Sequence, residues 1–373
     1  MAPLISTLSG SMGVPASSFG FFIALQFAAF SVASFVGGAF KERLRLSNYH
    51  LVSAGLLIIS AAFFVGAVGL RSTAALIAWV IPLGLAGGAV ETFSTIQLSN
   101  LSRAGSSKNL CLSQVFYSIG AFAAPQLVYV IFGAGLDWKS AFVIFGLFST
   151  VILAFFLVYN LRRGSFAERQ ASATPSAHAV RARGSMFYLM MLLMLACVTM
   201  ESLSAAWLSY IFETRYALTP RDASLVLVLF WVGMMVGRFS IVLLPARWTL
   251  WPTLIASAIA VLAAAACLAA IQTLPARSVL VTLLGIALGP MWPMIVMTSS
   301  STFQSEKLAS AIIGMGAIGF ASGPLLGSLI LRWQRAPQFF LMHLGLGVLI
   351  VGFCMAAWRL RARLAARAAE GSP

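Results

Sequence analysis

Two carboxylates, Glu91 and Glu201, lie deep inside long apolar segments of this chain, and each sits beside polar neighbours. An ionised side chain near the centre of a lipid bilayer costs roughly 2.5–3.5 kcal/mol, so such groups usually face a bundle interior or a watery path. A carboxyl held there can take up and release a proton within a working cycle. It can also accept hydrogen bonds from the hydroxyls of a polar solute. On a helix, residues three or four apart share a face, which sets Glu91 beside Gly87, Gly88, Ser94 and Thr95. The small residues let another helix approach, and the hydroxyls can satisfy a carboxylate. Glu91 is thus the first candidate for a proton-coupling site. A structural carboxyl, bonded between helices, is the plainer reading of either residue.

Ser204 follows Glu201 by one turn, with Trp207 nearby. A sugar-like solute needs hydrogen-bond partners and a flat apolar surface, and Glu, Gln and Trp supply both. Gln114 and Tyr117 share a face of another apolar segment, and Trp292 stands between two prolines in GPMWP. Gln114, Tyr117, Glu201, Trp207 and Trp292 form the candidate solute-binding set. For the two tryptophans, packing or an interfacial belt explains the residue equally well.

The elements that must position these residues are membrane helices. Hydrophobic residues make up 60% of the chain and charged residues 9%, with a mean hydropathy of +0.96. That composition excludes a soluble domain hiding its apolar surface in one core. Crossing the hydrocarbon layer takes about 20 apolar residues of helix. Eleven windows qualify, near 18–40, 50–70, 73–99, 109–133, 138–161, 186–212, 222–244, 250–271, 279–301, 308–331 and 336–360. The expected fold is all-α, a polytopic membrane protein.

The 24 Lys+Arg against 9 Asp+Glu would suggest nucleic acid in a soluble protein. Here the basic residues fall between spans, so membrane topology accounts for them and no nucleic-acid partner is implied. Lys41, Arg43, Arg45, the run Arg162 to Arg183, and Arg359 to Arg367 collect on one side; Arg71, Lys139, Arg215 and Arg277 are among the smaller set on the other. The positive-inside rule places the first set and the C-terminus in the cytoplasm. Residues 1–17 carry no charge and read like the exit end of a helix followed by a loop. A first helix upstream of Met1 would raise the count to twelve with both termini inside; an eleven-helix protein is the alternative.

Residues 162–185 are polar and basic, as a cytoplasmic linker should be. They divide the chain into an N-terminal bundle (1–161, five spans), a C-terminal bundle (186–362, six spans) and a tail (363–373). Across the linker, PLGLAGG (82–88) echoes LLGIALG (283–289), and Gly120 with Pro125 echoes Gly319 with Pro324, at nearly equal offset. Duplicated halves are a common build for secondary transporters, with solute held between the repeats.

Four strings carry a more specific likeness: GGAVETF around Glu91, LCLSQVFYSIGA with Gln114 and Tyr117, MESLSAAWLSYIF followed by FWVGMMVGR, and MWPMIVMTSSS with GMGAIGFASGPLLG. Together they resemble the major facilitator superfamily, and within it the fucose:proton symporter family with its glucose-transporting relatives. The resemblance implies a fold of two pseudo-symmetric helical bundles and a membrane-embedded acid at Glu91. Tyr117 stands where the fucose symporters carry an amide, which puts the same sugar selectivity in doubt. A further acid of that family would lie upstream of Met1. GGAFKERLRLS (37–47) resembles a degenerate form of the superfamily's cytoplasmic loop motif, with Glu42 and Arg43 in place of the usual acid and base. A plain positive-inside anchor is the other reading of that loop. Arg238 in FWVGMMVGR is the corresponding element of the second half and would help hold an inward gate shut.

The remaining chemistry is sparse. Cys111, Cys197, Cys267 and Cys354 lie within spans at spacings that suggest neither metal nor redox work. His343 stands alone in the last span and reads as packing; His50 and His178 fall in loop regions. No phosphate-cradling Gly-Lys motif is present, and neither cofactor nor metal is expected. The expected function is therefore not enzymatic: a monomeric secondary transporter in the bacterial inner (plasma) membrane, moving a small polar solute such as a sugar with a proton, sodium being possible. An efflux antiporter for amphipathic compounds would use the same Glu with an aromatic cavity. A sensor or assembly subunit that kept the fold and lost its cycle is the third reading.

Overall fold

The computed structural model describes residues 8, 12–13, 19–102, 108–163, 178–218, 220–243, 250–303, 305–332 and 338–370. They are helical, with no strand among them: α1 (Phe19–Leu44), α2 (Asn48–Gly69), α3 (Thr73–Ser102), α4 (Lys108–Gly133), α5 (Trp138–Arg163), α6 (His178–Tyr216), α7 (Pro220–Leu243), α8 (Leu250–Ala270), α9 (Leu274–Leu288), α10 (Met291–Phe303), α11 (Glu306–Arg332) and α12 (Gln338–Glu370). Among the described residues, nine stretches are long and apolar enough to cross a membrane, and Leu112–Ala124 and Ala311–Gly327 are shorter apolar helices. Helix is the form that satisfies every backbone N–H and C=O within lipid, which is why apolar segments of this length fold so. The protein is an integral membrane protein.

The segment expected as one span at 279–301 falls within a single apolar stretch, Leu274–Phe303, long enough to cross a membrane; it is built of two helices that meet at Gly289 and Pro290. Helix α6 begins at His178, so residues 178–185 of the expected linker form its first turns, while 164–177 lie outside the described residues. Helix α12 continues to Glu370. Its end, RLRARLAARAAE, is built of strong helix formers and stays helical past the apolar window. Most of residues 1–17, the stretch read as a helix exit, lies outside the described residues. His50 is not a loop residue. It caps the start of α2 reciprocally with Ser47, whose Oγ accepts from His50 N at 3.3 Å while His50 Nδ1 accepts from Ser47 N at 3.2 Å.

The chain divides into two compact units, residues 1–97 with 120–171 and residues 98–119 with 172–373. In the first, Trp79, Phe63, Trp138 and Phe142 form an aromatic cluster. The Trp79 indole N–H donates to Ala62 O at 2.6 Å. The core of the second unit is rich in methionine, with Met190, Met194, Met200, Met234 and Met291 fully buried.

The sequence echo has a physical counterpart inside each unit. A β-carbon at Gly84 or Gly88 on α3 would collide with Gln26 O or Phe30 O on α1. A β-carbon at Gly285 or Gly289, the matching positions, would collide with Phe230 O or Met234 O on α7. In both places glycine lets two helix backbones touch, the packing that small residues permit in membranes.

Candidate functional site

The site grows from Arg238, which is only 1% exposed although it lies on the membrane-spanning helix α7. A guanidinium cannot shed its charge, so burial demands acceptors on every side. Arg238 finds four of them, on three elements. Its Nε donates to Gly289 O at 3.3 Å, Nη1 to Gln114 O at 3.1 Å and to Ser118 Oγ at 2.6 Å, and Nη2 to Glu201 Oε1 at 3.4 Å. Its Cζ lies 5.4 Å from the Tyr117 ring centre, and that ring meets Trp231 edge-on.

Each acceptor has a local cause. In a continuous helix Gly289 O would bond to the amide four residues on, but that residue is Pro293, which has no N–H. The α9–α10 break thereby frees a carbonyl that Arg238 takes. Ser118 Oγ donates to Gln114 O at 3.1 Å, so its lone pairs are turned to the guanidinium. Glu201 sits in the middle of α6, 4% exposed, and its carboxylate is the charged partner of Arg238. Removing either member of such a pair leaves the other buried and uncompensated, at a cost of about 3–5 kcal/mol.

Four of the residues singled out in the sequence, Gln114, Tyr117, Glu201 and Arg238, thus converge. Trp207 and Trp292 do not join these contacts. Trp207 Nε1 donates to Pro324 O at 3.0 Å, and its ring fills the space over Gly327 on α11. Trp292 is 7% exposed in the methionine-rich core, near Gly316. Glu91 lies in the other unit, half-buried on α3. Ser94 beside it donates to the carbonyls of Val90 and Glu91, at 2.5 and 3.3 Å, and not to the carboxylate as its spacing had suggested. Thr95 is buried on the same face, and Thr92 shares a 2.7 Å hydrogen bond with Ser34 on α1. Arg43 is exposed near the end of α1, and the Glu42 side chain lies outside the described residues.

Three partners were not legible in the sequence: Ser118, the Gly289 carbonyl, and a pair formed by Ser204 and His343. His343 is not isolated. It is fully buried, with Nε2 at 2.9 Å from Ser204 Oγ and Nδ1 at 2.9 Å from Phe339 O. The carbonyl requires a proton on Nδ1, and the one hydroxyl proton of Ser204 is shared between His343 Nε2 and Met200 O, each 2.9 Å from Oγ. This pair sits one turn beyond Glu201 on α6.

The sequence model described as Major Facilitator Superfamily matches residues 1–316. Among solved structures, the chain is similar to the human organic anion transporter MFSD10 (TETRAN), with a TM-score of 0.72, 17% identity, and 94% of this chain and 88% of that one covered. It is also similar to the E. coli fucose:proton symporter FucP, with a TM-score of 0.69, 18% identity and 95% of each chain covered. A second structure of FucP, in the outward conformation, matches with a TM-score of 0.68 and 17% identity over 95% of each chain. At these identities the likeness is one of fold. No curated protein matches the chain by sequence.

Proposed function

Since the chain belongs to the major facilitator superfamily, we propose that it is a secondary active transporter that moves a small polar solute, with a sugar as the leading class, by alternating access coupled to protons. The observation that carries this reading is the Glu201–Arg238 pair, buried within membrane-spanning helices and shared by α4, α6, α7 and the α9–α10 break. A bilayer protein retains such charges at a cost of several kcal/mol, and a solute pathway is the usual reason.

In this proposal Glu91 carries the coupling proton, and Gln114, Tyr117 and Glu201 contact the solute. Trp207 and Trp292 support that surface by packing. Arg238 ties α7 to α4 and Glu42 with Arg43 act at the cytoplasmic end of α1, so both serve as gates. The protein works as a monomer in a bacterial inner membrane with its C-terminus in the cytoplasm.

The test is uptake in proteoliposomes with a pH-sensitive dye inside. Glu91→Gln is expected to abolish substrate-driven proton flux while leaving solute exchange measurable. Flux that persists in this variant removes Glu91 from the coupling role.

A further inference from the structure

We propose that the arginine-bearing end of α12 is a binding surface for an anionic phospholipid, with Arg359 and Arg363 holding its phosphate. The inference stands apart from the transporter reading, because it concerns the lipid around the protein and not the solute it moves.

The register of α12 is the first argument. One stripe of the helix, His343, Gly347, Ile350, Cys354 and Ala357, is buried. The opposite stripe, Leu341, Gly345, Val348 and Gly352, is exposed, and on a membrane-spanning helix that face meets lipid. At 3.6 residues per turn, Arg361 continues the buried stripe, whereas Arg359 and Arg363 continue the exposed one. Both of these arginines are exposed. The helix thus leaves the bilayer with two guanidiniums on its lipid-facing side.

Depth is the second. From Gln338 to Trp358 the helix runs about 30 Å at about 1.5 Å per residue, which matches the hydrocarbon layer. Trp358 is exposed at that boundary, where indole rings are favoured. Arg359 is the next residue, and an arginine at a helix end reaches for the headgroups.

Charge and packing complete the surface. Residues 338–369 hold four arginines and no acid before Glu370. Among the described residues no carboxylate pairs with Arg359 or Arg363. Arg361 is committed inward: its Cζ lies 5.6 Å from the ring centre of Trp251, which is buried at the start of α8. This cation–π contact pins α12 to α8 and fixes the outward direction of the other two. A guanidinium fork matches two phosphate oxygens. At Gly345 and Gly352 nothing stands within 4 Å of where a β-carbon would be, so the lipid face is grooved just where an acyl chain would lie. A soluble polyanion would satisfy the charge alone. A phospholipid satisfies charge and groove together, since its phosphate and its tail fall on one face.

The experiment uses the full chain in mixed micelles containing either dioleoyl-phosphatidylglycerol or the zwitterionic dioleoyl-phosphatidylcholine, with binding read by native mass spectrometry and by melting temperature. Phosphatidylglycerol is expected to remain bound and to raise the melting temperature above that in phosphatidylcholine. Arg359→Gln and Arg363→Gln should each weaken its Kd about fivefold, the two effects multiplying in the double variant. Arg359→Lys/Arg363→Lys keeps the charges and should retain most of the affinity. Arg361→Gln removes the same charge from the other face, so its Kd should stay within about twofold of the wild type, while its melting temperature falls in either lipid through the lost stack. Both lipid-facing arginines are exposed, so their glutamine variants should melt as the wild type does in phosphatidylcholine. The proposal is overturned if phosphatidylcholine binds as well, if Arg361→Gln weakens binding as much as Arg359→Gln does, which would mean diffuse charge and no site, or if inorganic phosphate or glycerol 3-phosphate reproduces the full effect, which would mean a free anion.

Discussion

The indole N–H of Trp207 on α6 donates to the carbonyl of Pro324 on α11 at 3.0 Å, across 117 positions of sequence. The contact crosses the seam where Gly319 and Gly323 bring the two helices close: a β-carbon at Gly319 would press on Leu195 O and Thr199 N, and one at Gly323 would overlap Ser202 and Leu203 N. Ser202 Oγ donates to Gly319 O at 2.9 Å along the same seam. A membrane interior offers no water to satisfy a carbonyl, so this hydrogen bond acts as glue between helices that lipid alone would not hold together.

Trp207→Phe should therefore lower stability by about 1 kcal/mol through the lost hydrogen bond. Trp207→Ala should cost about 3–5 kcal/mol, because it also empties the volume over Gly327. Both are measured by thermal unfolding in detergent. A tryptophan serving chiefly as a solute platform would behave otherwise: KM would rise in Trp207→Phe with no loss of melting temperature.

Gly84 and Gly285 give a paired test of the internal repeat. Each approaches a partner carbonyl too closely for any β-carbon, Gln26 O in one unit and Phe230 O in the other. Valine at either position should destabilise by about 1–3 kcal/mol or more, because the obstacle is backbone that cannot swing aside. Gly345, with nothing against it, is the control and should accept alanine without loss. Equal penalties at Gly84 and Gly285 would mark equivalent contacts; a penalty at one alone would show that the echo in sequence is not one of packing.

Much of this was legible from residue order, and the remainder was not, for physical reasons. Hydropathy revealed the spans because a bilayer imposes the same length requirement on each. It did not reveal the break at Gly289 and Pro290, since an apolar run scores alike whether its helix is continuous or interrupted; the signal for it was the pair of prolines in GPMWP, which remove backbone donors. Glu201 stood out as a charge in oil and Arg238 as a gating element of the second half, but their pairing depends on how α6 and α7 pack, which periodicity within one helix does not encode. Ser204 and His343 are 139 positions apart, so the histidine read as isolated. Ser118 carried no signal of its own: serine in an apolar helix ordinarily bonds back to its own backbone, as this one also does.

Arg277 provides a second buried cation, away from the Glu201 pair. Its Nε donates to Ile271 O at 2.7 Å, Nη1 donates to Tyr216 Oη at 3.1 Å, and its Cζ lies 4.3 Å from the Phe340 ring centre. It thereby links α6, the α8–α9 turn and α12 by a fork and a flat face that lysine lacks. Arg277→Lys should cost about 1–3 kcal/mol of stability, from donors and acceptors left unpaired. Transport should change little at temperatures well below the melt. A melting temperature equal to that of the wild type would show that the links are replaced by solvent.

Asp137 offers a pH-dependent test outside the membrane spans. It stands at the start of α5, where its Oδ1 accepts from Ser140 N at 3.0 Å and from Ser140 Oγ at 3.1 Å. The Ser140 amide, chiefly, holds the Asp137 carboxyl below its ordinary range, with slight desolvation opposing it and the Ser140 hydroxyl and Lys139 adding to it. A carboxyl depressed in the folded state adds stability above its unfolded value, about 3.9, and loses it as pH falls through the lower folded value. Asp137→Asn keeps the shape of the cap and removes the charge. The wild type should therefore melt slightly above the variant at pH 6, and the gap should close as pH is lowered below about 4. A gap that persists unchanged at pH 3 would mean that the carboxylate charge contributes nothing to holding the start of α5.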